Sequence, residues 1–247
     1  MPDWLRLAVG TLTRFPVPAP HQVDRTTARW AMVSAPVIAL LLALVCGLPL
    51  LIETSNTASG LLISALTIAL LAFATRAIHW DGLADTADAL GSGRPAAQAL
   101  EIARKSDIGP FGALTMAVNL LLQVFALGAC VAAGAGYLAL IGAVITSRIA
   151  LVWACTRGVH AARTDGLGAL VAGTVPRLVT IGWTIAIILA AYLLNGGFGV
   201  LAVMAGLAAA VVVLAISRRR LGGVTGDVLG AVIEISATVT LVVAALS

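Results

Sequence analysis

Three carboxylates recur at helical spacing in one short segment, residues 79–88 (HWDGLADTAD), and are the most chemically suggestive feature of this sequence. At about 100° per residue, Asp85 lies roughly 40° and Asp88 roughly 20° from Asp81 around a helix axis. Carboxylates on one face repel one another, and a bound cation would relieve that repulsion. Hard oxygen ligands suit Mg²⁺ or Mn²⁺ together with substrate phosphates. The segment therefore predicts a metal-phosphate site, against the simpler alternative of a solvated helix end.

A second candidate lies near the C-terminus, where a glycine-rich turn, residues 222–227 (GGVTGD), precedes an apolar run containing Glu234. Asp227 is as readily a helix N-cap as a ligand. Glu234 lies about two turns into the run, where a carboxylate costs roughly 2 to 3 kcal/mol unless it is paired, protonated or facing a cavity. Arg148, at a matching depth in another apolar run, is its natural partner. A structural ion pair and a catalytic role for Glu234 both stay open.

Cations meet a turn in a third segment, residues 104–112 (RKSDIGPFG). Arg104, Lys105 and backbone amides at a helix start could hold a phosphate. The alternative is the basic flank of a membrane helix that begins at Pro110. The chain's three histidines are scattered and indicate no site alone.

The elements that must position these residues are membrane helices. Of the 247 residues 60% are hydrophobic and 11% charged, and the mean hydropathy is +1.06, far above that of an ordinary soluble domain. A span needs roughly 20 mostly apolar residues. Seven runs of about that length predict an all-α, polytopic transmembrane bundle forming one domain over residues 1–247. The predicted spans are 31–52, 58–78, 111–133, 137–155, 178–194, 200–216 and 228–246.

The basic residues indicate the orientation of this bundle. All 15 lysines and arginines except Arg148 fall before the first span or in alternate connections between spans. By the positive-inside rule those segments and the N-terminus are cytoplasmic. Most acidic residues, including Asp81, Asp85, Asp88 and Asp227, fall on the same side, which predicts a cell-membrane protein with a cytoplasmic active site. This topology and attraction to anionic lipid or phosphate account for the net charge of +4 without a nucleic-acid partner.

The N-terminal segment, residues 1–25, is predicted to lie at the membrane interface. A helix over residues 3–13 would turn Trp4, Leu5, Ala8, Val9 and Leu12 toward lipid before Pro16 and Pro18 interrupt it. The three cysteines lie in predicted spans without metal-ligand spacing, so we interpret them as packing residues.

Taken together, these segments resemble the cobalamin synthase family, whose members are adenosylcobinamide-GDP ribazoletransferases. The resemblance covers nearly the whole chain, and its most specific part is the acidic motif of residues 79–88. The other matching segments, in the order of the chain, are residues 12–18 (LTRFPVP), 106–112 (SDIGPFG), Ser147-Arg148, 166–168 (GLG) and 222–230 (GGVTGDVLG). Lys105, Asp107 and Ala237 depart from the family pattern, so no role is carried over to these positions.

The resemblance implies a reaction in which the 3′-hydroxyl of α-ribazole or its 5′-phosphate attacks the cobinamide-side phosphorus of adenosylcobinamide-GDP and expels GMP, with Mg²⁺ as cofactor. Asp81, Asp85, Asp88 and Asp227 are then expected to hold metal, and the first three to act in catalysis, with Asp88 as an alternative acceptor of the hydroxyl proton. The expected phosphate or substrate contacts are Arg14, Arg104, Arg148, Thr225 and Gly226. The lipid bilayer is an expected partner, and a homo-oligomer stays open.

Two alternative functions remain open. The acidic motif is also similar to that of CDP-alcohol phosphotransferases, but those enzymes repeat paired aspartates about a dozen residues later, and residues 96–100 offer none. A secondary transporter could use Glu234, Arg148 and the acidic cluster as an ion path. Transport carboxylates belong near the bilayer midplane, whereas only Glu234 is predicted to be deep. Metal-dependent nucleotide release separates a transferase from a transporter.

Overall fold

The computed structural model describes residues 1–54, 56–105 and 107–246, and within them the chain folds into eleven α-helices and one short 3-10 helix, Leu48–Leu51. These residues form no strand beyond two isolated bridges, so the predicted all-α fold is confirmed. The helices are α1 (Asp3–Leu12), α2 (Arg25–Val33), α3 (Ala35–Cys46), α4 (Thr57–Ala74), α5 (Ile78–Gly91), α6 (Ala96–Ile102), α7 (Pro110–Ala132), α8 (Gly136–Ala154), α9 (Gly166–Val171), α10 (Arg177–Leu221) and α11 (Gly226–Ala245).

Five of the described helices are long and apolar enough to cross a membrane, namely α4, α7, α8, α10 and α11. The pair α2 and α3, bent by 44° at their junction, forms a sixth if it is taken as one span. A polytopic membrane bundle is therefore confirmed. The count of seven spans stays a prediction, and it depends on how α10 is interpreted.

Helix α10 is broken at Gly196, whose φ of 61° and ψ of −148° are not helical. A Cβ placed on Gly199 would lie 2.6 Å from the carbonyl oxygen of Ala191. Eight residues of continuous helix would separate these positions by about 12 Å, so the chain reverses direction at the break. The two halves contain the predicted spans 178–194 and 200–216, and seven spans result if each half crosses the membrane.

The second predicted span is shorter than expected, because α4 ends at Ala74 rather than near Ile78. Arg76 and Ala77 both adopt left-handed backbone conformations, with φ of 55° and 54°. The amide of Ala77 donates to the carbonyl of Ala72 at 2.7 Å and that of Arg76 to Phe73 at 3.1 Å, the pattern of a Schellman helix end. Composition could not locate this stop, since neither left-handed residue is glycine.

The core lies around α8 and α11, the two most buried of the candidate spans. Helix α11 packs against α5, α7, α8 and α10, while the large exposed apolar side chains lie mainly on outer helices such as α4, α7 and α10. An exposed apolar periphery around a buried centre is the pattern expected of helices that face lipid. The two bridges, Thr156 with Val175 and Ala161 with Val224, join the connections α8–α9, α9–α10 and α10–α11.

These contacts gather the segments predicted to be cytoplasmic at one end of the bundle. Arg25 donates to the carbonyl oxygens of Ala169 and Ala172 at 2.8 and 2.6 Å, which ties α2 to α9. Which side of the membrane this end faces stays a prediction. Helix α1 packs against α2 and α3 there. The prediction that Ala8 and Leu12 face lipid is wrong, since both are buried against protein where α1 covers the bundle end rather than lying free on the membrane.

Candidate active site

The acidic segment forms most of α5, and the turn before it sets its direction. Arg76 occupies the left-handed turn and donates to the carbonyl oxygen of Gly10 at 2.6 Å, so α1 helps to hold the turn. Along α5, Asp81 is exposed, Asp85 is half-buried and Asp88 is buried. The predicted helix is confirmed, and the three carboxylates descend from its exposed start into the bundle.

Two glycines bring α5 against the start of α11. A Cβ on Gly82 would lie 2.8 Å from the carbonyl oxygen of Asp227, and one on Gly230 would lie 2.9 Å from that of His79. No side chain fits at either crossing, so the two backbones are in direct contact. This close approach places Asp227 beside the acidic face of α5, although the residues are far apart in sequence.

Thr225 fixes the start of α11. Its hydroxyl accepts a hydrogen bond from the amide of Val228 at 3.2 Å, as an N-cap does, and donates to Oδ2 of Asp227 at 3.2 Å. The cap is therefore Thr225, which leaves the Asp227 carboxylate free of the capping role considered from sequence. Gly226 is the first residue of the helix, and a Cβ placed on it would lie in ordinary van der Waals contact with Leu167 of α9, at 3.7 Å.

The carboxylates at this end of the bundle repel one another. Burial, together with the nearby charges of Asp81, Asp227 and Asp88, raises the pKa of Asp85 to about 7, against a smaller opposing effect of Arg163. Nη1 of Arg163 lies 4.0 Å from Oδ2 of Asp227. Two arginines, Arg163 and Arg104, act electrostatically on Asp227, so among the described residues the four acids still outnumber the cations beside them.

Asp88 differs from its neighbours because both of its oxygens have partners. Oδ2 accepts from the amide of Gly109 at 2.7 Å and Oδ1 from that of Gly112 at 2.9 Å. It thus satisfies free amides at the N-terminus of α7, where a negative charge is also favoured by the helix dipole. This contact accounts for Asp88 structurally, and its roles in metal binding and catalysis stay predictions. Ser106, in the adjoining motif, lies outside the described residues.

A cleft of about 540 Å³ lies between α6 and the connection from α8 to α9, and its charged lining residues are Arg104, Arg163, Glu101 and Asp165. Arg104 forms an exposed two-pronged ion pair with Asp165, at 2.7 and 2.9 Å. Arg163 lines the same cleft and donates to the carbonyl oxygen of Leu100. From the sequence, Arg163 indicates only membrane topology, because proximity across the fold leaves no signal in a single sequence; its place beside Asp227 follows from the structure.

Arg14 and Arg148 lie away from this cleft. The guanidinium of Arg14 stacks over the ring of Phe73 at 3.6 Å. Arg148 is buried, donates to Oγ of Ser147 at 2.9 Å and approaches Nδ1 of His79 at 3.4 Å. The structure thus gives each arginine a protein partner, and phosphate binding by either stays a prediction.

Glu234 is buried in α11, as its depth in the sequence suggested, but its direct partner is not Arg148. Oε2 of Glu234 accepts from Nε2 of Gln123 at 2.9 Å, and that amide also donates to Thr238 at 2.9 Å. Among the described residues, Arg148 and Glu234 form no ion pair within 4.0 Å. The two side chains line one cavity of about 20 Å³, enough for a single water, so their charges interact across it rather than in contact.

Comparison with known proteins shows which family the chain belongs to. The family model described as cobalamin-5-phosphate synthase matches residues 4–245. The chain belongs to the cobalamin-5-phosphate synthase family. It is 41% identical to an adenosylcobinamide-GDP ribazoletransferase of Frankia casuarinae, covering 98% of this chain and 94% of that one. A protein of the same name from Nocardioides sp. is 40% identical, with 98% and 97% covered, and one from Syntrophobacter fumaroxidans is 35% identical, with 97% and 96% covered. No solved structure matches the chain.

In this chain, the carboxylate oxygens are donors that suit a hard divalent cation, but they do not enclose one. In the described residues, no three His, Cys, Asp or Glu side chains are arranged to hold a metal by themselves. Asp81, Asp85 and Asp227 are nevertheless mutually close enough to raise the pKa of Asp85. Mg²⁺ is typically held by one or two carboxylates together with substrate phosphates and water, which this open group can supply in part.

Proposed function

We propose that the chain is an adenosylcobinamide-GDP ribazoletransferase that forms the nucleotide loop of cobalamin with the help of Mg²⁺. One observation carries the proposal: Asp81 and Asp85 of α5 meet Asp227 of α11 at the end of an apolar bundle, in a chain that matches its family from residue 4 to residue 245. The names of its relatives supply the substrate class. The orientation of this end toward the cytoplasm belongs to the same proposal.

The reaction joins two substrates at one phosphorus atom. The 3′-oxygen of α-ribazole or its 5′-phosphate bonds to the cobinamide-side phosphorus, the bond from that phosphorus to the bridging oxygen breaks, and GMP leaves with that oxygen. The hydroxyl proton passes to a carboxylate and then to water. Because charge develops on the bridging and leaving oxygens, positioned cations lower the barrier.

Each residue of the site has a part in this scheme. Mg²⁺, when bound by Asp81, Asp85 or Asp227, supplies positive charge to the pyrophosphate. Arg163 and Arg104 extend that positive charge into the cleft, where phosphate oxygens of the leaving GMP bind. Thr225 orients the Asp227 carboxylate, and Gly226 lines a cavity beside it, where it contacts substrate. Asp88 aligns α5 with α7, in addition to its predicted roles in metal binding and catalysis.

Purified protein in lipid vesicles provides the test. Given adenosylcobinamide-GDP and α-ribazole 5′-phosphate, we expect GMP to be released with Mg²⁺ and not with excess chelator. Omitting either substrate should also stop the release. A folded sample that releases no GMP under the complete conditions would contradict the transferase proposal, and release that persists in chelator would contradict only the metal. A transporter would release no GMP in any of these reactions.

A further inference from the structure

A second cavity, of about 220 Å³, has no lining residue in common with the cleft of Arg104 and Arg163. Asp81, Asp227 and Thr11 line it, together with Leu12 of α1 and Met32 of α2. Leu12, Met32 and Ile233 are buried, while Asp81 is exposed. The cavity is therefore a mainly apolar chamber whose lining includes two carboxylates, with α1 forming part of its wall.

The size and lining of this chamber restrict what it can hold. Pockets for whole drug-sized ligands measure about 300 to 1,000 Å³, so a chamber of about 220 Å³ takes one part of a larger molecule. A corrinoid is too large, and a phosphate would lose its hydration against apolar walls. A flat, bicyclic aromatic ring meets both conditions, since it is compact and gains from leaving water.

The two cavities meet at one charged contact. Asp227 lines the apolar chamber, Arg163 lines the cleft, and their side chains lie 4.0 Å apart. Displacement at phosphorus requires the attacking and leaving oxygens to lie roughly in line on opposite sides. The two substrates must therefore approach the carboxylates from different directions, and the structure offers two separately lined cavities, one mainly apolar and one with arginines in its lining.

We propose that the chamber beneath α1 binds the benzimidazole base of α-ribazole, so that its ribose 3′-hydroxyl faces Asp81 and Asp227, and that the guanosine phosphates occupy the cleft. This inference rests on the proposed transferase function and adds where each substrate binds. In α-ribazole the bicyclic ring is attached to the same ribose as the attacking hydroxyl, whereas the guanine of the other substrate is separated from the reacting phosphorus by a ribose and a phosphate. The leaving nucleotide carries anionic oxygens that Arg163 can bind, and that Arg104 can bind in exchange for Asp165.

Filling the chamber tests the inference. Leu167, on α9, lines the chamber and is half-buried, so Leu167→Trp would place an indole in it. We expect the KM for α-ribazole 5′-phosphate to rise by about tenfold or more, because one or two methylenes already change binding by about 10- to 200-fold in a tight pocket. The KM for adenosylcobinamide-GDP should stay within about twofold of wild type, because that substrate binds outside the chamber. Leu170→Trp, the same substitution on the same helix but outside the chamber, is the matched control and should change neither KM.

Labelling gives a second measurement that does not depend on turnover. The three native cysteines are buried, so Thr11→Cys introduces a reactive thiol in the lining of the chamber, at a partly exposed position. We expect α-ribazole to slow its reaction with a maleimide by about tenfold at saturation, and not to slow that of the exposed control Thr26→Cys. This result stands even if Leu167→Trp does not fold.

The outcomes separate the inference from the proposed function. An unchanged KM for α-ribazole 5′-phosphate in folded Leu167→Trp, or a rise in the KM for adenosylcobinamide-GDP instead, overturns the chamber assignment. Equal labelling of Thr11→Cys with and without α-ribazole overturns it as well. Absence of GMP release by the wild-type protein counts against the transferase, whereas protection of Thr11→Cys would still place the base in the chamber.

Discussion

The two groups of carboxylates in this molecule differ in their surroundings and in their partners. At the end of the bundle, Asp81, Asp85 and Asp227 repel one another and have Arg163 nearby at 4.0 Å from Asp227. In the interior, Glu234 is hydrogen-bonded by Gln123 and lies across a water-sized cavity from Arg148. The interior acid accepts a hydrogen bond from a neutral amide, whereas the charges of the acids at the end are not neutralised within the protein.

The solvent explains this difference. A carboxylate surrounded by apolar helices must find most of its partners within the protein, because bulk water and mobile ions do not solvate it there. Acids at the opening of the bundle stay hydrated, so they tolerate repulsion until substrate and cation arrive. The comparison predicts that removing charge at the end changes activity, whereas removing polarity in the interior changes stability.

The largest expected effect is on turnover, at Asp81. Asp81→Asn removes a charge from the most exposed of the three acids without changing its size. We expect kcat to fall by about 100-fold or more, as when a transition-state charge partner is lost, with unchanged membrane insertion. GMP release measures the effect, and Glu53→Gln, at an exposed acid outside the site, is the control. Near-normal turnover of Asp81→Asn would contradict the assignment of Asp81 to metal binding and catalysis.

Glu234 should show the opposite behaviour. Glu234→Leu leaves the Gln123 amide and the Arg148 charge less well satisfied, so we expect the free energy of unfolding in detergent to fall by about 1 to 3 kcal/mol. Glu234→Gln keeps an oxygen for Gln123 and should retain most turnover. If Glu234→Gln abolished GMP release while its melting temperature stayed at the wild-type value, Glu234 would be catalytic and the comparison would fail.

Asp88 lies on the acidic helix but has hydrogen-bond partners like an interior residue, so we expect its loss to affect stability. Asp88→Ala removes the acceptor for the amides of Gly109 and Gly112 at the start of α7. We expect a loss of about 1 to 2 kcal/mol in stability, the cost of a strong helix cap. Denaturation and GMP release are measured on the same samples. A variant that is fully stable but inactive would support metal binding or proton transfer by Asp88 instead.

The smallest expected effect is the pH dependence caused by Asp85. Its pKa is about 7 in the folded chain and 3.8 ordinarily, so between these values the folded state holds more protons than the unfolded state. The contribution of Asp85 to stability is therefore fully present below about pH 4 and is lost as the pH rises through about 7. In chelator, we expect the melting temperature to fall between pH 5 and about pH 8, and less so in Asp85→Asn. Identical pH profiles for the two proteins would show that repulsion at Asp85 is negligible.

Much of this site is predictable because it depends on local spacing. The positions of Asp81, Asp85 and Asp88 on one helix follow from their separation in sequence, and the burial of Glu234 follows from the apolar residues around it. Arg163 is not recognisable in this way, because its contact with Asp227 joins segments far apart in the chain. Matching depth predicts the Arg148–Glu234 pairing, but depth does not fix rotation about the helix axis, and Gln123 holds the carboxylate instead.

The sequence by itself determined that lipid surrounds this protein, that its fold is helical, and which family it belongs to. Apolar runs of about 20 residues require a lipid surrounding and a helical backbone, and the acidic motif at helical spacing is specific enough to indicate the family. Tertiary structure decided which residues share the site. The glycine contacts at Gly82 and Gly230 bring α5 against α11, the left-handed turn at Arg76 and Ala77 ends α4 early, and α1 closes a chamber over the acids. These features depend on backbone approach and packing between distant segments, which no local pattern specifies.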